Sequence, residues 1–220
     1  MSDDEFAVEP VPGLPELLPE GERMLWQGKP DWIGLAKRGL YLKPVIAYCT
    51  ILLGWFAVSG LSDGMGGLAV AQSLLLPLLL AVALVAIIFG LAFFLARSTI
   101  YTITNRRVVM RFGIALPITI NLPFSRIETA ALRKFGDGAG DIPLTIKGKD
   151  KLAWLHLWPH ARPWRLTKPE PMLRSVPEAE KIASILAEAM ASALPEGQMT
   201  LPLAAKRTVN AAADHGLATA

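Results

Sequence analysis

Residues 74–96, LLLPLLLAVALVAIIFGLAFFLA, run without a charge straight into residues 97–113, RSTIYTITNRRVVMRFG. The join between them decides the fold. The first stretch is 23 residues long, which at about 1.5 Å per residue is enough to cross the ~30 Å of a bilayer's hydrocarbon. Pro77 is tolerated near one end of such a helix. Beyond Arg97 the period changes. Ile100, Thr102 and Thr104 alternate against Tyr101 and Ile103, then Val108 and Met110 against Val109 and Arg111, with a polar break over 104–107. Period-two alternation on both sides of a polar break predicts a β-hairpin.

Working back from residue 74, PVIAYCTILLGWFAVSGL (44–61) is a second uncharged run of nearly spanning length. The bland alternative for both runs is a buried helix of a soluble core. The linker SDGMGGLAVAQS (62–73) has Asp63 as its one charge, so a tight antiparallel helical hairpin is expected. Lys37, Arg38 and Lys43 precede the spans, and Arg97, Arg106, Arg107 and Arg111 follow them. Under the positive-inside rule this puts both termini of a two-span protein in the cytoplasm. Neither span carries an acid, a base or a histidine, which argues against a transporter.

The whole chain is 52% hydrophobic with a formal net charge of +3. Its basic residues are better explained as topology markers than as a nucleic-acid surface, so no nucleic acid is expected. The single Cys49 lies in an apolar run and offers neither a disulfide framework nor a redox motif. The acidic, proline-rich residues 1–20 lack the features of a cleavable signal peptide and read as a disordered arm.

Past the first β-hairpin, ITINLPF, RIETAALRK, DIPLTIK and LAWLHLW read as further strands, with FGDGAGD and KGKD as turns. A helix is predicted over 177–194, with Ser175 and Glu178 spaced as a capping box and Ile182, Ile185, Leu186, Ala189 and Met190 at helical intervals. Residues 196–220 read as a loose tail. The expected organisation is therefore a pre-membrane arm (1–43), a transmembrane hairpin (44–96), a cytoplasmic domain (97–195) and a tail (196–220). The fold class is α+β, with a two-helix membrane hairpin followed by a small β-sheet or barrel closed by a C-terminal helix.

LAWLHLWPHARPWR (152–165) crowds Trp154, His156, Trp158, His160 and Trp164 together. Four-residue spacing lets two histidines share a metal on a helix, but Pro159 stands between His156 and His160 and the alternation is that of a strand. On a strand Leu155 and Leu157 face the core, while Trp154, His156 and Trp158 share the other face. No metal or other cofactor is expected. Trp and Arg are enriched at interaction hot spots and Trp at lipid headgroups, so Trp154, Trp158, Trp164, Arg162 and Arg165 are the candidate partner contacts. Arg97, Arg106, Arg107 and Arg111 are the candidate headgroup contacts. Asp137 and Asp141 superficially suggest a calcium loop, but the terminal acidic ligand is lacking and a hairpin turn explains them. With no nucleophile elbow, phosphate loop or paired acids, an enzyme is not expected.

YTITNRRVVMRFG and the upstream PEGERMLWQGKPDW resemble the signature of bacterial pleckstrin-homology-like membrane proteins. Together with LPITINLPF, GDIPLTIKG, LWPHARPWR and PEPMLRSVP, they make residues 13–194 similar to the photosynthetic-complex assembly family of purple bacteria. That resemblance implies a PH-like domain and a non-enzymatic factor that helps the reaction centre, with its light-harvesting ring, to assemble. The implied partners are reaction-centre subunits and membrane lipids, and a homodimer is left open. The alternative is a general membrane-stress or anionic-lipid-binding adaptor.

Overall fold

The computed structural model describes residues 13, 14, 16–114, 116–148, 157–163 and 169–193. The chain begins with strand β1 (Met24–Gly28), a short helix α1 (Trp32–Gly34) and a π-helical turn (Leu35–Gly39). Two long helices follow, α2 (Leu42–Ser62) and α3 (Gly67–Ser98). Then come β2 (Ile100–Thr104), β3 (Arg107–Phe112) and β4 (Ile118–Pro123). After these run β5 (Ile127–Ala130), β6 (Arg133–Lys134), β7 (Gly140–Ile146), β8 (Met172–Val176) and helix α4 (Ala179–Ala193).

The expected β-hairpin is β2–β3, with Ile100 opposite Arg111 and Ile103 opposite Val108. Less expected is its other neighbour. β1, which precedes the long helices, pairs antiparallel with β2, which follows them, giving one sheet in the order β1-β2-β3-β4. The helical hairpin is therefore an insertion between two adjacent strands. The division at residue 43 does not follow the fold, because residues 24–39 belong with the β-domain. Antiparallel pairing is a long-range event that periodicity does not report. β7 centres the second sheet, paired with β5, β6 and β8.

Tyr101, Ile103, Met110, Phe124, Ile142, Leu144 and Leu173 from the two sheets bury together, and α4 adds Ile182, Leu186 and Ala189. Each fully buried large aliphatic or aromatic side chain here contributes about 1.5–3 kcal/mol. α4 packs on β7 and β1, so the last helix closes the domain as its apolar spacing predicts. Its expected capping box does not form. Ser175 lies inside β8 with φ 47°, and Glu178 has φ 49°. The strand therefore runs to within three residues of the helix, and Ser175 is already committed to the sheet.

Both long helices exceed the expected spans. The linker shrinks to residues 63–66, because Leu68–Gln72 are helix formers that continue α3 toward its N-terminus. α3, at 32 residues, measures about 48 Å. Both are long and apolar enough to cross a membrane, and only 6% and 17% of their most apolar windows are buried against the described residues. A soluble core helix would be mostly covered. Contiguous apolar surface on this scale requires an apolar environment or a partner.

Two other expectations are corrected. Leu14 is 2% exposed, so the described part of residues 1–20 includes a buried anchor. Leu157 has helical backbone, and Trp158 and Pro159 form a turn, so the strand expected over 152–158 does not include its last two residues. Residues 152–156 lie outside the described residues.

Candidate functional site

Where α3 meets the β-domain, polar side chains form a buried chain of hydrogen bonds. The hydroxyl of Thr99, the first residue after α3, donates to the Leu95 carbonyl at 2.6 Å. Having spent its hydrogen there, it can only accept from His160 Nε2, at 3.2 Å. Nδ1 of His160 is then the unprotonated nitrogen and accepts from the Tyr101 hydroxyl at 2.7 Å. That hydroxyl in turn accepts the Arg174 amide at 3.1 Å. The order of donors fixes the histidine tautomer without ambiguity. Phe112 lies against the imidazole, with ring centroids 4.8 Å apart. His160 and Tyr101 are fully buried. Burial, with the Arg174 charge adding to it, pushes the His160 pKa down to about 3. Burial likewise raises the Tyr101 phenol, so it stays a donor.

The same junction holds the segment before α2. β8 bulges at Arg174 and Ser175, where the register against β7 slips between Gly140 and Ile142. The Asp141 carboxylate accepts the Ser175 amide at 2.8 Å and holds the bulge; burial raises its pKa against that bond and the Arg174 charge. The bulge is turned outward to the chain. Ser175 offers its carbonyl to the Asp31 amide at 2.8 Å, and the Asp31 carboxylate caps α1 through Gly34 at 2.7 Å. A Cβ on Gly34 would lie 2.9 Å from Ser175 Oγ, so glycine leaves the room that the Ser175 side chain occupies. The Arg174 guanidinium donates to the carbonyls of Pro159 (2.8 Å) and Gly39 (3.4 Å). Arg38 lies 3.8 Å over the Phe135 ring and pairs with Asp137 at 2.5 Å.

One junction thus ties the strands, the pre-helix elbow and the end of α3 together. Among the described residues, Arg38 Nη1, Arg174 Nε and Ser175 Oγ are buried without a hydrogen-bond partner, and all three belong to it. Above it, Trp32 packs edge-on to Phe89 and Phe93 of α3, forming an aromatic collar of the kind found at membrane–water boundaries.

The structure does not gather the four candidate headgroup arginines into one patch. Arg97 is exposed on the last turn of α3, and Arg111 sits opposite Ile100 at the same end of the sheet. Arg106 and Arg107 lie at the far end of the β2–β3 ladder, about four residues or 13 Å away. Arg107 is also occupied, gripping the nearly buried Glu22 carboxylate at 2.7 and 2.9 Å. Of the candidate partner contacts, Trp158 is 42% exposed and Arg162 pairs with the buried Glu170 at 2.8 Å. Trp154, Trp164 and Arg165 lie outside the described residues.

Arg174 and the buried, hydrogen-bonded roles of Asp141, Tyr101 and His160 emerge only from the tertiary structure. One signal was available, a charged residue inside the otherwise apolar strand MLRSV, since buried charge requires a partner. Asp137 caps the β6–β7 turn through Ala139 and Asp141 caps the bulge, so each carboxylate has a structural use.

The bacterial PH domain family model matches residues 46–190. The chain is 40% identical over 200 residues to the "Uncharacterized 23.7 kDa protein in puhA 5'region" of Rhodobacter capsulatus, covering 90% of this chain and 94% of that protein. No solved structure matches at a significant level.

Proposed function

The chain belongs to the bacterial PH domain family, and on that premise we propose that it is a non-enzymatic, membrane-anchored assembly factor for the photosynthetic reaction centre and its light-harvesting ring. In this reading α2 and α3 cross the inner membrane, both termini are cytoplasmic, and the PH-like domain holds reaction-centre subunits awaiting assembly. The observation that carries it is the relative sharing 40% identity along 90% of the chain, whose name locates it in the 5' region of the photosynthesis locus puhA.

The architecture suits that task. Because β1 pairs with β2, the segments flanking the helical hairpin lie on one side of whatever the hairpin enters, and the excess of Lys and Arg on both flanks favours the cytoplasmic side. A domain fixed to its anchor by a buried junction searches for partners in two dimensions and at raised effective concentration. Trp158 and Arg162, with Trp154, Trp164 and Arg165 from the same stretch, are the proposed subunit contacts. No pigment, metal or other cofactor is required.

Deleting the gene should abolish or delay reaction-centre absorbance while growth without photosynthesis stays normal. The tagged protein should recover reaction-centre subunits from pigmented membranes, and the Trp154→Ala, Trp158→Ala variant should recover fewer. Envelope defects with intact pigment complexes would instead establish a general anionic-lipid adaptor.

A further inference from the structure

The geometry points to a second membrane contact, outside the helical hairpin: the β3–β4 turn, through Ile114 and Leu116, inserts into the headgroup–acyl boundary of an anionic bilayer. These two aliphatic side chains are 51% and 81% exposed, whereas the β2–β3 turn at the opposite end of the sheet, at Asn105 and Arg106, is polar.

Their position follows from the register. β2 leaves α3 through the single residue Thr99 and runs away from it, so β3 returns toward it. Arg111 is opposite Ile100, and the Phe112 ring lies 4.8 Å from His160, which is bonded to Thr99. β3 also packs against α3. Gly113 therefore stands level with the last turn of the helix, and the turn beyond it projects back along the spans. The turn closes on itself beyond the Phe112–Ile118 pair, so Ile114 and Leu116 reach past that level by about a side-chain length, roughly 5 Å, the shallow end of the depth at which interfacial side chains embed.

The turn is preformed. Gly113 has φ 121°, and a Cβ there would sit 2.2 Å from the Leu116 carbonyl oxygen, so the backbone folds tightly over itself. The surrounding charge matches an anionic surface. Arg97 and Lys29 are exposed at the end of α3, where the Lys29 ammonium reaches the Arg97 carbonyl at 3.5 Å, and Arg111 precedes the turn. Apolar tips ringed by cations bind anionic interfaces by burial and attraction together. Two attachments, the spans and the turn, would set the tilt of the whole rigid unit, domain and helices together, against the bilayer.

The inference rests on the insertion of α2 and α3, and not on the assembly role. Full-length protein with Cys49→Ser is reconstituted into vesicles of mixed zwitterionic and anionic lipid. An environment-sensitive fluorophore is attached at Leu116→Cys, at Ile114→Cys, at Leu79→Cys inside α3, or at Arg106→Cys at the far turn. Lipid-borne quenchers should strongly quench the labels at 116 and 114, together with the label at 79, and spare that at 106. If 79 is quenched while 116 and 114 behave like 106, the turn is in water and the proposal fails with the membrane reading intact. A blue-shifted but unquenched label at 116 would mean that protein covers the turn, which also overturns it. An unquenched label at 79 would sink the spanning hairpin itself and the turn contact with it. Leu116 is so exposed that its substitution leaves the core untouched. Leu116→Asp, as a charge-bearing check, should move a neighbouring label at Ile114→Cys back into water.

Discussion

The Tyr101 hydroxyl lies 2.7 Å from His160 Nδ1, both side chains fully buried, and this contact joins the strand leaving the second long helix to a loop some sixty residues later. Its neighbours extend it in both directions, to Leu95 inside α3 through Thr99 and to the β8 bulge through the Arg174 amide. A rigid body results from groups that are individually modest, because each of them is satisfied only while the others stay in place.

Tyr101→Phe removes one oxygen and leaves two buried groups, the Arg174 amide and His160 Nδ1, without their partner. An unsatisfied buried polar group costs about 1–3 kcal/mol. The variant should unfold at lower temperature in detergent, and limited proteolysis should cut sooner between α3 and the β-domain. Unchanged protection would show that the relay is not what couples the two parts.

The pH dependence follows from His160, whose pKa falls from 6.5 to about 3 on folding, through burial and then the Arg174 charge. Between those values the unfolded chain binds a proton that the folded chain refuses, so stability is fully present above about pH 6.5. It falls on acidification toward pH 3 by as much as about 1.4 kcal/mol per pH unit. Asp141, whose pKa is raised by burial, works in the opposite sense and blunts the lower end. Denaturant midpoints measured from pH 7 to 4 should drop steeply in the parent, while His160→Gln, less stable at neutral pH, should show a shallower slope.

Glu22 and Arg107 predict an asymmetry between adjacent arginines. The Glu22 side chain is 3% exposed and bonded to Arg107 and Thr104. Burial opposes its ionisation, but those hydrogen bonds and the Arg107 charge together hold its pKa below the usual value. Arg107→Ala strands a buried carboxylate and should destabilise the domain by about 1–3 kcal/mol, whereas Arg106→Ala, on an exposed residue, should stay within about 0.5 kcal/mol. Equal effects in thermal melts would contradict this account. The Glu22 contribution is present above the ordinary carboxylate pKa and is lost as pH falls below it.

Gly34→Ala puts a methyl group 2.9 Å from Ser175 Oγ and 3.0 Å from Asp31 Oδ2. The bulge cannot retreat, because Asp141 holds it, so about 1–3 kcal/mol of strain is expected. Ser175→Gly in the same chain should recover part of it, since it removes the oxygen and also suits the positive φ of that position. A melt series of the single and double variants reads the coupling.

Trp158→Ala should leave the melting temperature nearly unchanged, because the side chain is 42% exposed and stands outside the relay. A loss of reaction-centre subunits in co-purification without a loss of stability marks the residue as a contact, and a stability loss comparable to that of Tyr101→Phe would assign it to packing.

Much of the fold was legible along the chain. Period-two alternation gave β2, β3, β4 and β7, and helical spacing gave α4, since these patterns record which face of a local element is apolar. Uninterrupted apolar runs located both long helices, although their ends were misplaced, because Gly66 and Gly67 look like a loop and only the structure shows the helix starting there. The capping box failed because a short motif reports what Ser175 and Glu178 can do, and the sheet had a competing use for Ser175. The arginines fared similarly. Sequence placed them all close to the spans, while the register sent Arg106 and Arg107 to the far end of the ladder.

The sequence by itself determined that this protein has two helices built on long uncharged runs and joined to a small β-rich domain, because hydrophobic period and length are local properties. Only the tertiary structure decided that the helices are an insertion within one sheet, that His160 is a sealed hydrogen-bond relay, and that Arg174 and Ser175 clamp the segment before the first helix. Those depend on residues scores of positions apart meeting in a space without water, where every donor must find an acceptor, and no local pattern encodes which ones meet.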